Sequence, residues 1–219
     1  MVEEVLIVNI IRVLPLAIPE IILIAYERFS DSRGYFTETF RTSDIHKILT
    51  NKTHGSLTFS QGNESFSKKG TIRGLHFQWN PFMGKLVRVI DGSMVDFALD
   101  IRIGSPTLGK IIACQLKTYY KQSIGEWIWI PSGFAHGGYF LEDSVIEYLC
   151  TGEYNSLCET GISIFSDTVD WSFVDKELFN MVPHKYSLSL LMSDKDRKNM
   201  TLEKWLTDPA SKNFVYGNV

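Results

Sequence analysis

Three side chains that could move a proton and stabilise the resulting charge lie close together in one stretch of the chain. His76 stands in the sequence Arg-Gly-Leu-His-Phe, with Arg73 shortly before it and Lys85 after it. Histidine can act as a general base near neutral pH, and lysine can stabilise an oxyanion. Strict strand alternation places Arg73 and His76 on opposite faces unless Gly74 marks a bulge. The spacing alone therefore does not decide whether these residues form a catalytic site, because a lone histidine among apolar neighbours is more often structural.

Other polar residues occur in segments with strand-like sequences. Gln61 and Asn63 are separated by one residue, so on a strand they point the same way and could hydrogen-bond a sugar or a base. His136 follows the sequence Trp-Ile-Pro-Ser-Gly-Phe-Ala, and Tyr148 lies in an apolar run. A strand tyrosine is usually part of the core with its hydroxyl satisfied, so spacing alone does not assign Tyr148 a role.

The elements that must position these residues are mostly short strands. Segments rich in β-branched and aromatic residues, separated by turn residues, predict strands. The predicted strands are Val5–Ile11, Ile21–Ala25, Tyr35–Phe40, Phe59–Ser67, Lys110–Leu116, Trp127–Ile130 and Val145–Thr151. A short helix is predicted over Thr42–Leu49, and Ser193 is predicted to cap a further helix.

Composition excludes some classes of protein. The chain has 219 residues and a net charge of −3, which argues against nucleic acid as a partner but allows a local basic pocket for a diphosphate. Three cysteines, Cys114, Cys150 and Cys158, have no metal-ligand spacing and fit the reducing cytoplasm. The apolar N-terminal stretch carries Glu3 and Glu4 where a signal peptide needs positive charge, so we expect neither a signal peptide nor a membrane helix.

Several motifs together resemble those of one enzyme family. Lys69–Gln78 reads Lys-Gly-Thr-Ile-Arg-Gly-Leu-His-Phe-Gln, and it is followed by the motifs Gly84–Val89 and Asp96–Arg102. These segments resemble the dTDP-4-dehydrorhamnose 3,5-epimerase family, from roughly Arg12 to Trp205. The resemblance implies an all-β, cupin-like jelly roll with a few short helices. It also implies inversion of carbons beside the ketone of a nucleotide-linked 4-keto-6-deoxy sugar.

The resemblance implies a role for each residue that matches a family motif. His76 matches the base, Tyr148 the proton donor, Asp196 the carboxylate that hydrogen-bonds the base, and Lys85 the group that stabilises the enolate. Residues that match substrate-binding positions are Arg33, Glu38, Gln61, Asn63, Arg73, His136, Tyr154, Glu159 and Lys195, with Tyr154 stacking on the nucleotide base. No cofactor and no metal are expected.

The resemblance also implies a domain plan and a partner. Residues 1–219 form one domain, with an N-terminal strand extension at 1–11 and a C-terminal tail at 206–219. We expect a homodimer whose interface the N-terminal strand crosses, and a tail that is a surface strap or disordered. Neither nucleic acid nor a membrane is expected as a partner.

Two departures from the family pattern bear on specificity. Gly62 replaces an aspartate that is frequent in the family, and Ile164–Asp167 replaces a Trp-Asn-Asp-Pro segment. The sequence leaves open whether C3, C5 or both are inverted. It also leaves open whether the nucleotide is dTDP or GDP, and whether the sugar is a hexose or a heptose. A metal-dependent cupin is disfavoured because the sequence has no His-x-His. A non-catalytic sugar-nucleotide-binding module is disfavoured by the complete acid–base set.

Overall fold

A computed structural model describes residues 9–49, 57–183, 185–187 and 190–219. Its regular structure is dominated by strands, and every ladder between them is antiparallel. The strands are β1 Ile10–Pro15, β2 Ile22–Glu27, β3 Phe29–Asp31, β4 Gly34–Phe36, β5 Gln61–Ser67, β6 Ile72–Gln78, β7 Lys85–Asp100, β8 Ile111–Thr118, β9 Ile124–Ile130, β10 Phe134–Phe140, β11 Ser144–Cys150 and β12 Glu159–Gly161. The α-helices are α1 Thr42–Leu49, α2 Lys176–Met181, α3 Asp194–Arg197 and α4 Leu202–Thr207.

The long strand β7 belongs to two sheets and joins them. Its first half pairs with β9 and β11, in a sheet that continues to β2 and β1 on one side and β5 on the other. Its second half pairs with β8 and β10, and this second sheet continues to β6 and β12. The strand changes sheet near Gly92, whose φ is 99° and where a Cβ would lie 2.4 Å from Oγ of Ser144. Glycine is required there because both the backbone angle and the space exclude a side chain.

Alternation along β7 explains why its second half is apolar on both faces. Met94 and Ala98 pack into the core between the two sheets. Val95, Phe97 and Leu99 point the other way, into a second core formed with the C-terminal segment. Both faces are buried, so the strand reads as an almost continuous hydrophobic run. Alternation also directs the polar residue at position 96 toward the interior of the sandwich.

The predicted all-β jelly roll is confirmed, and so is the helix at Thr42–Leu49. The strand predicted over Tyr35–Phe40 is wrong beyond Phe36. The carbonyls of Glu38 and Thr39 instead accept side-chain hydrogen bonds from Asn9 and Trp127. The N-terminal strand prediction lies partly outside the described residues, and the observed strand β1 starts at Ile10.

The C-terminal tail is part of the core. Trp205 and Phe214 are fully buried and pack edge-to-face on each other and on Phe77. The prediction of a disordered tail is therefore wrong, because a 3-10 helix forms at Pro209–Asn213 and Phe214 packs into the core. The alternative of a strap at the surface stays a prediction, since Val215 and Tyr216 are exposed. Among the described residues, no helix is long and apolar enough to cross a membrane.

Candidate active site

A bulge at Gly74 brings Arg73 and His76 to the same cavity. Between the paired positions Arg73–Gly138 and His76–His136, strand β6 has one residue more than β10. Gly74 has a φ of 101°, and a Cβ there would lie 2.6 Å from the carbonyl oxygen of His136. The extra residue at this bulge offsets the strict alternation that would separate the two side chains. Arg73 and His76 consequently line one cavity.

His76 lies against a carboxylate that the C-terminal segment supplies. Its Nε2 is 2.7 Å from Oδ1 of Asp196, at ion-pair distance though not aligned as a linear hydrogen bond. Ser193 caps α3, accepts from the backbone N–H of Asp196, and donates to Oδ2 of that residue at 2.7 Å. The N–H of Gly74 donates to Oδ1, and Asn199 donates to the carbonyl of Gly74. The carboxylate is therefore fixed relative to the strand that carries His76.

The Asp196 carboxylate should make a pH-dependent contribution to stability. Burial acts to raise its pKa, but the adjacent His76 imidazole and the hydrogen bond from Ser193 outweigh burial and lower the pKa below the usual 3.8. A depressed pKa stabilises the fold above the unfolded-state value and loses this effect as pH falls through the folded-state value. Asp196→Asn should therefore unfold at a lower temperature than the wild type at pH 7. Thermal unfolding should show this difference shrinking below about pH 4; a constant difference would contradict the assignment.

A second histidine–carboxylate pair lies on the neighbouring strands. Nε2 of His136 is 2.8 Å from Oδ2 of Asp96, which is almost fully buried on β7. His136 pairs in register with His76, so the two imidazoles belong to adjacent strands of one sheet. Our sequence analysis assigned no role to Asp96. The available signal was an acidic residue inside an apolar strand run, since a buried carboxylate requires a partner.

The facing sheet supplies the other polar groups of the site. Cys150 of β11 pairs in register with Lys85 of β7 on one side and with Gln61 of β5 on the other. One row further, Tyr148 of β11 pairs with Asn63 of β5. These residues face His76 from the opposite sheet. Ionisable side chains therefore stand on both walls of the sandwich.

Burial changes the pKa values of two groups on this wall. Desolvation lowers the pKa of the Lys85 ammonium, and the nearby carboxylates of Glu159 and Asp96 offset part of that effect. Desolvation also raises the pKa of the Tyr148 phenol. The phenol is therefore protonated at neutral pH, which is the form that a proton donor needs.

Two cavities share these groups in their walls, with volumes of about 300 Å³ and about 260 Å³. His76, Lys85 and Tyr148 line both of them. We call the larger one the outer chamber, which is further lined by Gln61, Asn63, Phe77, Gln78, Met83, Cys150, Tyr154 and Glu159. We call the smaller one the inner chamber, which is further lined by Ser65, Arg73, Met94, His136, Gly137, Gly138, Phe140, Ile146, Ser193 and Asp196.

The outer chamber contains an ordered set of amides. The backbone N–H of Tyr154 donates to Oε1 of Gln61, and Nε2 of Gln61 donates to Oδ1 of Asn63. Because a backbone N–H only donates, these bonds fix the orientation of both amide groups. Lys195 forms an ion pair with Glu159 at the same chamber. Four predicted binding residues therefore line the outer chamber, namely Gln61, Asn63, Tyr154 and Glu159, while Lys195 lines neither chamber and contacts Glu159.

Two predicted binding residues lie elsewhere. Arg33 and Glu38 line neither chamber. Arg33 is exposed and pairs with Asp31 in the turn between β3 and β4, while Glu38 pairs with Arg41 before α1. Within one chain, therefore, these two residues stand apart from His76.

The two departures from the family pattern also lie away from the chambers. Gly62 is exposed on the face of β5 opposite to Gln61, and the side chain it would approach is that of Leu149. The Ile164–Asp167 segment lines a separate cavity of about 570 Å³ together with Trp171. Neither departure reshapes the walls around His76.

The fold and the chambers together define a class of protein. Among the described residues, no three His, Cys, Asp or Glu side chains are grouped as metal ligands. A jelly roll whose interior holds two histidine–carboxylate pairs, a lysine and a protonated tyrosine is equipped for proton transfer. This class is a cupin-type acid–base enzyme.

Comparison with known proteins gives the family. The dTDP-4-dehydrorhamnose 3,5-epimerase family matches residues 15–204, and the chain belongs to this family. The relative from Sinorhizobium fredii is 43% identical over 150 residues, covering 67% of this chain and 72% of the relative. The relative from Methanothermobacter thermautotrophicus is 35% identical over 199 residues, covering 89% of this chain and 92% of the relative. Both carry the name dTDP-4-dehydrorhamnose 3,5-epimerase.

Solved structures agree with this family. The Legionella pneumophila dTDP-6-deoxy-D-glucose-3,5-epimerase, in complex with dTDP-4-keto-L-rhamnose, superposes with a TM-score of 0.76 at 30% identity, over 93% of this chain and 97% of that one. The Sulfolobus tokodaii enzyme gives a TM-score of 0.70 at 35% identity, over 88% and 96%. The predicted class, a nucleotide-sugar epimerase and hence an isomerase, is confirmed.

Proposed function

We propose that this protein inverts C3, C5 or both in a nucleotide-diphosphate-linked 4-keto-6-deoxy sugar, with a dTDP sugar as substrate. The observation that carries the proposal is the position of His76 and Tyr148 on facing sheets, where both line the two chambers that Lys85 also lines. Inversion requires removal of a proton from one face of a carbon and its return to the other face. Two groups on opposite walls can do this without turning the sugar over.

The proton transfer follows from the contacts of His76. The 4-ketone acidifies the C–H bonds at C3 and C5, and the imidazole of His76 accepts the proton. Asp196 stabilises the imidazolium that forms, because its carboxylate lies at 2.7 Å. The electron pair of the C–H bond becomes the enolate, and the Lys85 ammonium stabilises its oxygen.

Reprotonation from the other wall completes the inversion. The Tyr148 phenol gives its proton to the carbon and the enolate returns to the ketone. Solvent then returns a proton to the Tyr148 phenolate and takes one from the His76 imidazolium. His136, held by Asp96, lies in the inner chamber and hydrogen-bonds a sugar oxygen. Arg73 adds positive charge there, with its guanidinium fixed by Ser67.

The outer chamber takes the nucleotide diphosphate. Gln61 and Asn63 offer oriented amides, and Tyr154 offers an exposed ring on which a base can stack. Lys195, held by its ion pair with Glu159, offers a cation beside the chamber. The three free cysteines fit an enzyme of the reducing cytoplasm, which is where we place it.

Proton NMR in deuterated water tests the proposal. The protein is incubated with dTDP- and GDP-linked 4-keto-6-deoxyhexoses, and with a 4-keto heptose, while the C3 and C5 signals are followed. We expect deuterium to enter at C3, C5 or both on the dTDP sugar, together with a change in ring couplings that reports inversion. Binding without exchange on every sugar would favour a non-catalytic binding module instead.

We further propose a homodimer in which Arg33 and Glu38 complete the partner's site. Both residues stand away from the chambers of their own chain, beside exposed aromatic side chains of the β3–β4 hairpin such as Phe36. Strand β1 also exposes Ile11 and Leu14. A second copy of the chain would cover the exposed apolar side chains of β1. It would also receive Arg33 and Glu38 at its own chambers.

Mixed dimers test this arrangement. Sedimentation should give twice the 25.0 kDa of one chain. Arg33→Ala and His76→Ala homodimers should each be impaired, but in a mixed dimer both lesions fall in one site and the other site is intact. Mixing equal amounts should restore about a quarter of wild-type activity, since half the dimers are mixed and each has one good site. A monomer, or mixing without restoration, would contradict the proposal.

A further inference from the structure

One hydroxyl group in the inner chamber has no assigned role and no partner. Oγ of Ser65 is buried and makes no hydrogen bond within the described residues, although the side chain lines the inner chamber. Several other buried polar atoms also have no hydrogen-bond partner, among them Nε1 of Trp129 and of Trp205. Those two tryptophans do not line either chamber. A buried hydroxyl that stays unpaired destabilises a protein, so its retention at a cavity wall indicates a ligand.

The neighbours of Ser65 in the inner chamber do not satisfy it. Nε of Arg73 donates to Oγ of Ser67, and NH2 of Arg73 donates to the carbonyl of Phe66. The other polar lining residues make no hydrogen bond to Oγ of Ser65, and the rest of the lining is apolar or lacks a side chain. It consists of Met94, Gly137, Gly138, Phe140 and Ile146. These groups offer the hydroxyl neither a side-chain donor nor a side-chain acceptor.

The position of Ser65 on β5 relates it to the binding residues. Gln61, Asn63 and Ser65 alternate with exposed residues, so all three face the interior. Gln61 and Asn63 line the outer chamber, and Ser65 lines the inner one. The interior face of this strand therefore extends from the outer chamber, where we place the nucleotide, to the inner chamber, where we place the sugar. Ser65 pairs in register with Ile146, two residues before the proposed acid Tyr148.

We propose that Ser65 is a substrate-binding residue whose hydroxyl exchanges a hydrogen bond with a ring hydroxyl of the sugar. This rests on the proposed function, because it requires the sugar to occupy the inner chamber. A 4-keto-6-deoxyhexose linked through C1 has only two hydroxyl groups, on C2 and C3. A hydroxyl can donate and accept, so Ser65 can pair with either of them. Such a contact fixes the rotation of the ring between His76 and Tyr148.

A binding experiment separates this inference from catalysis. Calorimetry compares dTDP with a dTDP-linked 6-deoxyhexose that has no ketone and is not turned over. Ser65→Ala and the similarly sized Ser65→Cys should lower the affinity for the sugar nucleotide by about 2- to 10-fold, the range for one uncharged hydrogen bond. The affinity for dTDP should not change. Glu64→Ala, on the exposed face of the same strand, is the matched control and should change neither.

Analogue sugars identify the hydroxyl. With 2-deoxy and 3-deoxy forms of the 4-keto substrate, deuterium entry at C5 is measured for the wild type and for Ser65→Ala. The variant should lose several-fold in rate on the full substrate and on one analogue, and nothing on the analogue that lacks the partner hydroxyl. Equal losses on both analogues, or unchanged sugar-nucleotide affinity, would overturn the inference. If the wild type binds as expected but exchanges no proton, the proposed function fails while the role of Ser65 stands.

Discussion

Replacing His76 with alanine should lower both epimerisation and deuterium entry by roughly 100- to 10,000-fold, the range for a lost general base. Both reactions begin with the same proton abstraction, so both must fall together. The structure supports this role for His76 because its ring lines both chambers and lies 2.7 Å from the Asp196 carboxylate. Rates of C3 and C5 exchange by NMR, on the substrate that the wild type accepts, give the measurement.

Three comparisons show whether the loss comes from the base itself. The variant should still bind dTDP, since the outer chamber keeps its amides, and its thermal unfolding should stay cooperative. Asp196→Asn should be a milder version of the same lesion, because the imidazole remains but its orientation and charge are less well supported. If His76→Ala kept wild-type exchange, the base would have to be sought at His136, the other imidazole of the inner chamber.

The sequence was most informative about residues that lie within recognisable motifs. His76, Lys85 and Tyr148 were predicted from motifs, and the structure brings them to the same pair of chambers. Spacing alone left two possibilities, with Arg73 and His76 on opposite faces or, if Gly74 marked a bulge, on the same face. Only the register of β6 against β10 shows the bulge at Gly74, because a bulge is a property of two strands together.

Long-range packing accounts for what the sequence did not reveal. Asp96 acquires its meaning from His136, which is 40 positions away and joins it only when β7 pairs with β10. The anchoring of the tail was not predicted, because Phe214 packs on Trp205 and Phe77 only once the second sheet has formed. Both contacts join residues that are distant in the chain, so local sequence patterns give at most an indirect signal of them, such as the acidic residue within an apolar run at Asp96.

Changing Tyr148 to phenylalanine should separate exchange from inversion. The variant keeps the ring, the base and the enolate lysine, so proton abstraction continues. Without the phenol, the carbon is reprotonated from the His76 side and its original configuration is restored. Net inversion should therefore fall by roughly 100- to 10,000-fold, while deuterium entry at the carbon beside the ketone persists at a substantial fraction of the wild-type rate.

Tyr139→Phe provides the matched control for this experiment. Tyr139 lies on β10 between the inward-facing positions of His136 and Phe140, and its side chain packs into the core on the outer face of the second sheet. Removing its hydroxyl should leave both inversion and exchange near wild type. Coupling constants of the recovered sugar report inversion, and loss of the C–H signal reports exchange, in the same NMR sample. If Tyr148→Phe inverted the sugar at the normal rate, the acid would have to be a bound water or another group, because the phenol assigned here would not be needed.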